Sequence, residues 1–176
     1  MRASGYERAA ADWYVEPRWC VDAMLDAEPP FSGLVWDPFA GSGTIPGRLR
    51  ARGIPAIASD LHDRGCGVSG SDFFTTRTAA SSIVANPPYG RAREVVDRGL
   101  SMTTDRVCLL LRLAFLEGQG RRAWFPTSPL ARVWVSSRRI SMPPGDSDIP
   151  ATGGAIAYAW FVWAHGHCGK PQIGWI

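Results

Sequence analysis

Asp37-Pro38-Phe39-Ala40-Gly41-Ser42-Gly43-Thr44 decides how this chain reads. It follows the apolar run Leu34-Val35-Trp36 and precedes Thr44–Arg52, a stretch predicted as a helix and stopped by Gly53 and Pro55. A strand-to-helix turn with two glycines lets backbone approach a ligand closely and leaves the first helical N–H groups unpaired. No Gly-Lys-Ser/Thr follows, so the turn is not a phosphate-binding P-loop, and it lacks the GxGxxG spacing of dinucleotide sites. The carboxylate of Asp37 would repel a pyrophosphate and attract an ammonium group, which points to a nucleoside that carries an amino acid.

Outward from that turn, short β-branched runs alternate with amphipathic ones, the pattern of an α/β sheet. Pro55–Asp60 reads as a second strand ending on a carboxylate, with Leu61 next; Asp60 at the carboxyl edge of a parallel sheet suits a ribose diol. Val68–Phe74 reads as a shorter strand or turn, where Asp72 offers an acceptor for an exocyclic amine and Phe73 a face for a purine ring. Ser82–Ala85 forms a later strand, Ala92–Met102 a helix and Arg106–Leu113 another strand. Arg132–Met142 and Ala155–Ala164 are expected to form a late hairpin, joined by Ser141–Gly154, a proline- and glycine-rich segment long enough to be a mobile functional loop.

At the end of the Ser82–Ala85 strand stands Asn86-Pro87-Pro88-Tyr89. Two prolines fix φ and remove two donors, leaving a rigid corner. The Asn86 amide oxygen and the Pro87 carbonyl would then form paired acceptors for an NH2 group, and Tyr89 a flat face for a planar conjugated group. Taken alone, the tetrad is equally a structural turn.

Together, DPFAGSGT and NPPY resemble the S-adenosylmethionine-dependent amino-methyltransferases, above all the DNA adenine-N6 methyltransferases, including small phage-type members. The segment Trp13-Tyr14-Val15-Glu16-Pro17-Arg18-Trp19 resembles their N-terminal cofactor-contacting segment. The resemblance implies a Rossmann-like class I methyltransferase fold: a mostly parallel seven-stranded sheet, a C-terminal antiparallel hairpin and helices on both faces. It implies S-adenosylmethionine as cofactor, held by Trp13, Tyr14, Glu16 and Pro17, by Asp37, Pro38, Phe39, Ala40, Gly41, Ser42, Gly43 and Thr44, by Asp60 and Leu61 at the ribose, and by Asp72 and Phe73 at the adenine. Asn86, Pro87, Pro88 and Tyr89 are implied as the catalytic target pocket. Many adenine enzymes carry Asp-Pro-Pro-Tyr here, and Asn-Pro-Pro-Tyr also occurs in RNA and protein-glutamine methyltransferases. The alternatives are therefore RNA adenine or protein glutamine as substrate, and a non-catalytic methyltransferase-like binding subunit.

Length and composition limit the rest. The chain has 176 residues, 45% of them hydrophobic and 20% charged, which suits one globular catalytic domain over 1–176 and excludes global disorder. That size leaves no room for a separate target-recognition domain, so recognition is expected from loops or a partner subunit. Of 19 basic residues 18 are arginine, against 16 acidic, for a net charge of +3. Arginine forks onto phosphate and guanine, although GC-rich coding favours it regardless of function. Arg91, Arg93, Arg138 and Arg139 are the candidate contacts to DNA. Cys20, Cys66, Cys108 and Cys168 form no CxxC pair and read as buried thiols; with His62, His165 and His167 they form no metal-ligand pattern. No apolar run approaches a membrane span and Met1–Ala11 has no signal-peptide core, so a cytoplasmic protein away from membranes is expected.

Overall fold

The computed structural model describes residues 13–145 and 154–176. Seven strands form one sheet: β1 (Val35–Asp37), β2 (Ala56–Ala58), β3 (Ser82–Ala85), β4 (Arg106–Arg112), β5 (Leu130–Val135), β6 (Tyr158–Ala164) and β7 (Gln172–Trp175), in the order β2-β1-β3-β4-β6-β5-β7. β1 to β4 are mutually parallel, and β6 runs antiparallel to both β4 and β5. The carboxyl ends of β1 to β5 therefore share one edge, and every motif singled out in the sequence follows one of those ends or the segment beside them.

Helices cover both faces because alternate residues of the central strands are apolar in both directions. On one face α1 (Arg18–Ala27) and α2 (Thr44–Ala51) place Cys20, Val21, Met24, Ile45 and Leu49 against Val84, Cys108, Leu110 and Trp160. On the other, α3 (Ala92–Met102) packs Val95 and Val96 with Ile83, Val107, Leu109 and Phe161, joined by Trp124 from α4 (Gln119–Trp124). Of the cysteines, Cys20 and Cys108 are buried as expected, whereas Cys66 is half-buried and Cys168 exposed.

The sheet reaches seven strands by a different route from the one expected. Of the strand or turn read over Val68–Phe74 the structure has the turn: Val68 makes only an isolated parallel bridge to Ser59 and is 66% exposed, and the chain turns at Phe73. The seventh strand is instead β7, parallel to β5 at the far edge. β5 ends at Val135, short of the expected Met142; Ser136 N–H still donates to Tyr158 O at 3.1 Å and Ser137 N–H to Ile176 O at 2.8 Å, and the chain leaves the sheet after them. The expected loop over 141–154 opens with ordered backbone pairing. Val15 N–H donates to Pro143 O at 3.1 Å, Gly145 N–H donates to Trp13 O at 3.2 Å, and Tyr14 bridges Pro144. The rest of that loop, 146–153, lies outside the described residues.

A buried ionic cluster ties α1 to the late strands. Glu28 accepts from Arg106 Nη1 at 2.8 Å, Arg132 Nε at 2.6 Å and Trp134 Nε1 at 2.6 Å. Among the described residues no helix is long and apolar enough to cross a membrane.

Candidate active site

The glycine turn between β1 and α2 is held from below by carboxylates. Asp37, at the end of β1, is 1% exposed and accepts from Phe39 N–H at 3.1 Å, closing the turn. Asp60, just past β2, accepts from Gly41 N–H at 3.0 Å through one oxygen and from His62 N–H at 2.9 Å through the other. Gly41 sits at φ +53, and a Cβ there would stand 2.8 Å from Trp13 Nε1, so only glycine fits without displacing the indole. Gly43, at φ +90, is similarly closed in by Cys66 Sγ.

Above these groups lies a cavity of about 320 Å³, within the range of small-molecule sites. Trp13 to Glu16 form one wall, Pro38 to Ser42 the floor, Asp60, Leu61, His62 and Arg64 a second wall, Ser71 to Phe74 a third, and Asn86, Pro88 and Arg91 the mouth toward the tetrad. Asp72 caps its own turn by accepting from Phe74 N–H at 2.9 Å, and Phe73 packs into the sheet at 5.7 Å from the Trp36 ring. The structure thus gathers residues from both ends of the sequence resemblance around one space. Pro17, Asp37, Gly43, Thr44, Pro87 and Tyr89 do not line it.

Asn86 and Tyr89 differ in orientation from the arrangement that the tetrad suggests. Asn86 Nδ2 donates to Tyr14 O and to Glu16 Oε2, both at 3.0 Å, which uses both its hydrogens and fixes which way the amide faces. Its Oδ1 accepts from Tyr89 Oη–H at 2.9 Å. The Tyr89 ring lies outside the cavity, 6.1 Å from the Tyr158 ring and beneath the Arg112 guanidinium at 5.2 Å. In this state Tyr89 offers no stacking face to the cavity, and its hydroxyl stands on the oxygen that an amine would need.

Burial of three acids sets the site's electrostatics. Desolvation pushes the Glu16 carboxyl up to about 7, partly offset by its own backbone N–H and by Asn86. Asp37 is raised well above the usual carboxylate range, first by burial and then by the negative charges of Glu16 and Asp60. Three acids crowded beneath a cavity favour a cationic ligand, which would relieve their mutual repulsion.

Of the arginines proposed from sequence, Arg91 reaches the cavity mouth, its guanidinium 3.4 Å over the Phe74 ring and 2.6 Å from Glu94. Arg93 lies outside, over Trp124 at 5.5 Å. Arg138 covers Trp19 at 4.6 Å, and exposed Arg139 neighbours it beyond β5; neither lines the cavity. The sequence reading missed His62, Arg64, Ser71 and Phe74. Arg64, 4.4 Å over the Trp13 ring and 3.7 Å from Asp60, was signalled only by the glycines of Arg64-Gly65-Cys66-Gly67, which mark a tight turn.

No protein-family model matches the chain and no curated protein matches it in sequence. Solved structures do match. A protein from Pyrococcus horikoshii described as an RNA methyltransferase aligns over 84% of this chain and 80% of its own, with TM-score 0.58 and 14% identity. A protein from Vibrio vulnificus described as the modification subunit of a type I restriction enzyme covers 93% of this chain, with TM-score 0.60 and 11% identity; the match spans 47% of that protein. The magnesium protoporphyrin IX methyltransferase of Synechocystis, solved with bound S-adenosylmethionine, aligns over 84% of this chain and 78% of its own at TM-score 0.56 and 10% identity. The fold is that of the class I Rossmann-like methyltransferases, with a mostly parallel seven-stranded sheet and one antiparallel hairpin.

Proposed function

We propose that this protein is an S-adenosylmethionine-dependent N-methyltransferase acting on the exocyclic N6 amine of adenine in DNA. The observation that carries the reading is the single cavity joining the glycine turn, Asp60, Asp72 and Phe73 to Asn86. The donor set fits the cofactor. Asp60 keeps lone pairs for a ribose diol, Asp72 with Phe73 and Phe74 suits an adenine, and the buried acids under Gly41 suit an ammonium and a sulfonium. Tight backbone at Gly41 leaves room that any side chain would fill.

When bound, the cofactor supplies a methyl group already activated on a sulfonium, so the protein chiefly positions the acceptor. Asn86 Oδ1 is aimed by the two hydrogen bonds on its Nδ2 and would accept a hydrogen of the target amine. That contact draws the nitrogen lone pair out of the ring and offsets the positive charge that develops on nitrogen. Tyr89 Oη–H occupies one lone pair of that oxygen and leaves the other for the amine. A base inside a duplex cannot reach the cavity, so the target is flipped or already single-stranded.

The likeness to a modification subunit supports a nucleic-acid substrate and recognition shared with a partner chain. A second reading, RNA adenine, is favoured by the likeness to the Pyrococcus protein. Incubation with radiolabelled cofactor and panels of DNA, RNA and protein separates these readings: label on N6-methyladenine in DNA is expected, and label on RNA or glutamine alone would replace it. Absence of transfer to every panel, with cofactor still bound, would leave the non-catalytic subunit.

A further inference from the structure

Behind the tetrad lies a second groove of about 280 Å³, lined by Tyr89, Gly90, Arg93, Phe115, Gly118 and Arg121. It shares a wall with the cavity: residues 88–91 present Pro88 and Arg91 to one side and Tyr89 and Gly90 to the other. We propose that this groove binds the phosphodiester backbone of a single polynucleotide strand beside the methylated nucleotide, an inference that rests on the nucleic-acid reading of the cavity.

The groove carries positive charge that the fold does not neutralise. Arg121 lies 5.0 Å over the Phe115 ring and Arg93 5.5 Å over the Trp124 ring. Among the described residues Arg121 has no carboxylate within salt-bridge distance; it donates instead from Nε to the Glu117 carbonyl and from Nη2 to the Ala114 carbonyl. Arg93 is 58% exposed at its side chain and only loosely paired with Asp97 at 3.6 Å. An aromatic face under each guanidinium holds it in place, and at Arg121 Nη1 no hydrogen bond among the described residues competes with a phosphate oxygen. Gly90 and Gly120 have nothing within 4 Å of where a Cβ would stand, so bare backbone borders the groove. A strand lying there would bring one nucleotide to Tyr89, whose hydroxyl already rests on Asn86. Alternating rings and guanidinium groups are how sequence-tolerant single-strand sites are built.

The test uses the full chain and fluorescence anisotropy with single-stranded DNA and RNA of about 12 nucleotides, a length typical of such sites. The double variant Arg93→Glu/Arg121→Glu should bind at least about tenfold more weakly, and the slope of log K against log salt should fall by about 1.4, the change expected for two lost phosphate contacts. Lys170→Glu, with the same charge change per residue but at the opposite sheet edge, should bind nearly as wild type. Calorimetric affinity for S-adenosylmethionine should be unchanged in both variants, which reports an intact fold. Preference for the DNA or the RNA strand names the source of the phosphodiester. Equal weakening by Lys170→Glu, an unchanged salt slope, or no binding of either strand by wild type would overturn the groove. Binding lost in the double variant while wild type methylates only protein would keep the groove and sink the adenine reading.

Discussion

Asn86 Nδ2 donates to Glu16 Oε2 at 3.0 Å, so the side chain expected to grip a target amine is oriented by a carboxyl group 70 positions earlier in the chain. Glu16 therefore acts between the cofactor wall and the target pocket. Replacing Asn86 by alanine should lower methyl transfer by about 10²- to 10³-fold, the scale for losing one polar contact to a developing charge. Affinity for the cofactor, read by calorimetry, should change little. Glu16→Gln keeps an acceptor for Nδ2 and should retain most of the transfer rate, whereas Glu16→Ala frees the amide and should slow transfer by up to about 10² through misplacement. Parallel loss of cofactor binding in Asn86→Ala would contradict this division of labour.

The same Glu16 makes stability fall as pH rises. Its carboxyl is pushed up to about 7 in the folded chain from an ordinary 4.5, and Asp37 is raised in the same direction. Between those pH values the native chain holds a proton that the unfolded chain has released, so raising pH favours unfolding. The effect is fully expressed above pH 7 and absent below pH 4.5, and for Glu16 alone amounts to about 3 kcal/mol. Melting curves of the ligand-free protein from pH 5 to 8 should lose roughly 10 °C, and Glu16→Gln should flatten much of that slope. Exposed acids such as Asp26 and Glu94, lowered by Arg52 and Arg91, act in a lower window and do not mask it.

What the sequence revealed and what it hid divide by range. The turn at Asp37–Thr44 and the corner at Asn86–Tyr89 are local: glycine freedom and proline rigidity specify them without knowledge of the rest of the chain, and the structure places Gly41 and Asn86 on one cavity. The orientation of Asn86 was illegible because it depends on Glu16 and on Met142, whose sulfur stands 3.7 Å from Nδ2. β7 was missed because four residues, one of them glycine, are too short an alternation to stand out, and an edge strand buries little: Ile173 and Trp175 are 56% and 73% exposed. Its Gly174 instead records a contact, since a Cβ there would strike the Trp134 ring.

Gly41 offers a sharper test of the cradle than the acids beneath it. At φ +53 an alanine carries a backbone penalty of about 1–2 kcal/mol, and its Cβ would press on the Trp13 indole that walls the cavity. Gly41→Ala should therefore lower both melting temperature and cofactor affinity. Gly47, inside α2 with open space around its Cβ position, provides the contrast: Gly47→Ala should stabilise by about 0.5–1 kcal/mol through helix propensity and leave cofactor binding intact. Differential calorimetry with and without cofactor reads both effects.

Glu28 separates the arginines that hold the fold together from those proposed to meet phosphate. The Arg132 guanidinium is forked onto Glu28 at 2.6 and 2.9 Å, while Arg106 reaches the same carboxylate from β4. Removing that acid strips Arg132 and the Trp134 indole N–H of their carboxylate and leaves Arg106 with Asp105 and the Pro29 and Pro30 carbonyls, so Glu28→Ala should destabilise the fold by about 3 kcal/mol. Arg132→Ala should likewise lower the melting temperature while leaving the salt dependence of oligonucleotide binding as it is, because this guanidinium neutralises a buried carboxylate and has no phosphate to give up. Arg121→Ala should do the reverse. Urea melts paired with anisotropy titrations at two salt concentrations separate the two classes, and a flattened salt slope in Arg132→Ala would move that residue into the nucleic-acid surface after all.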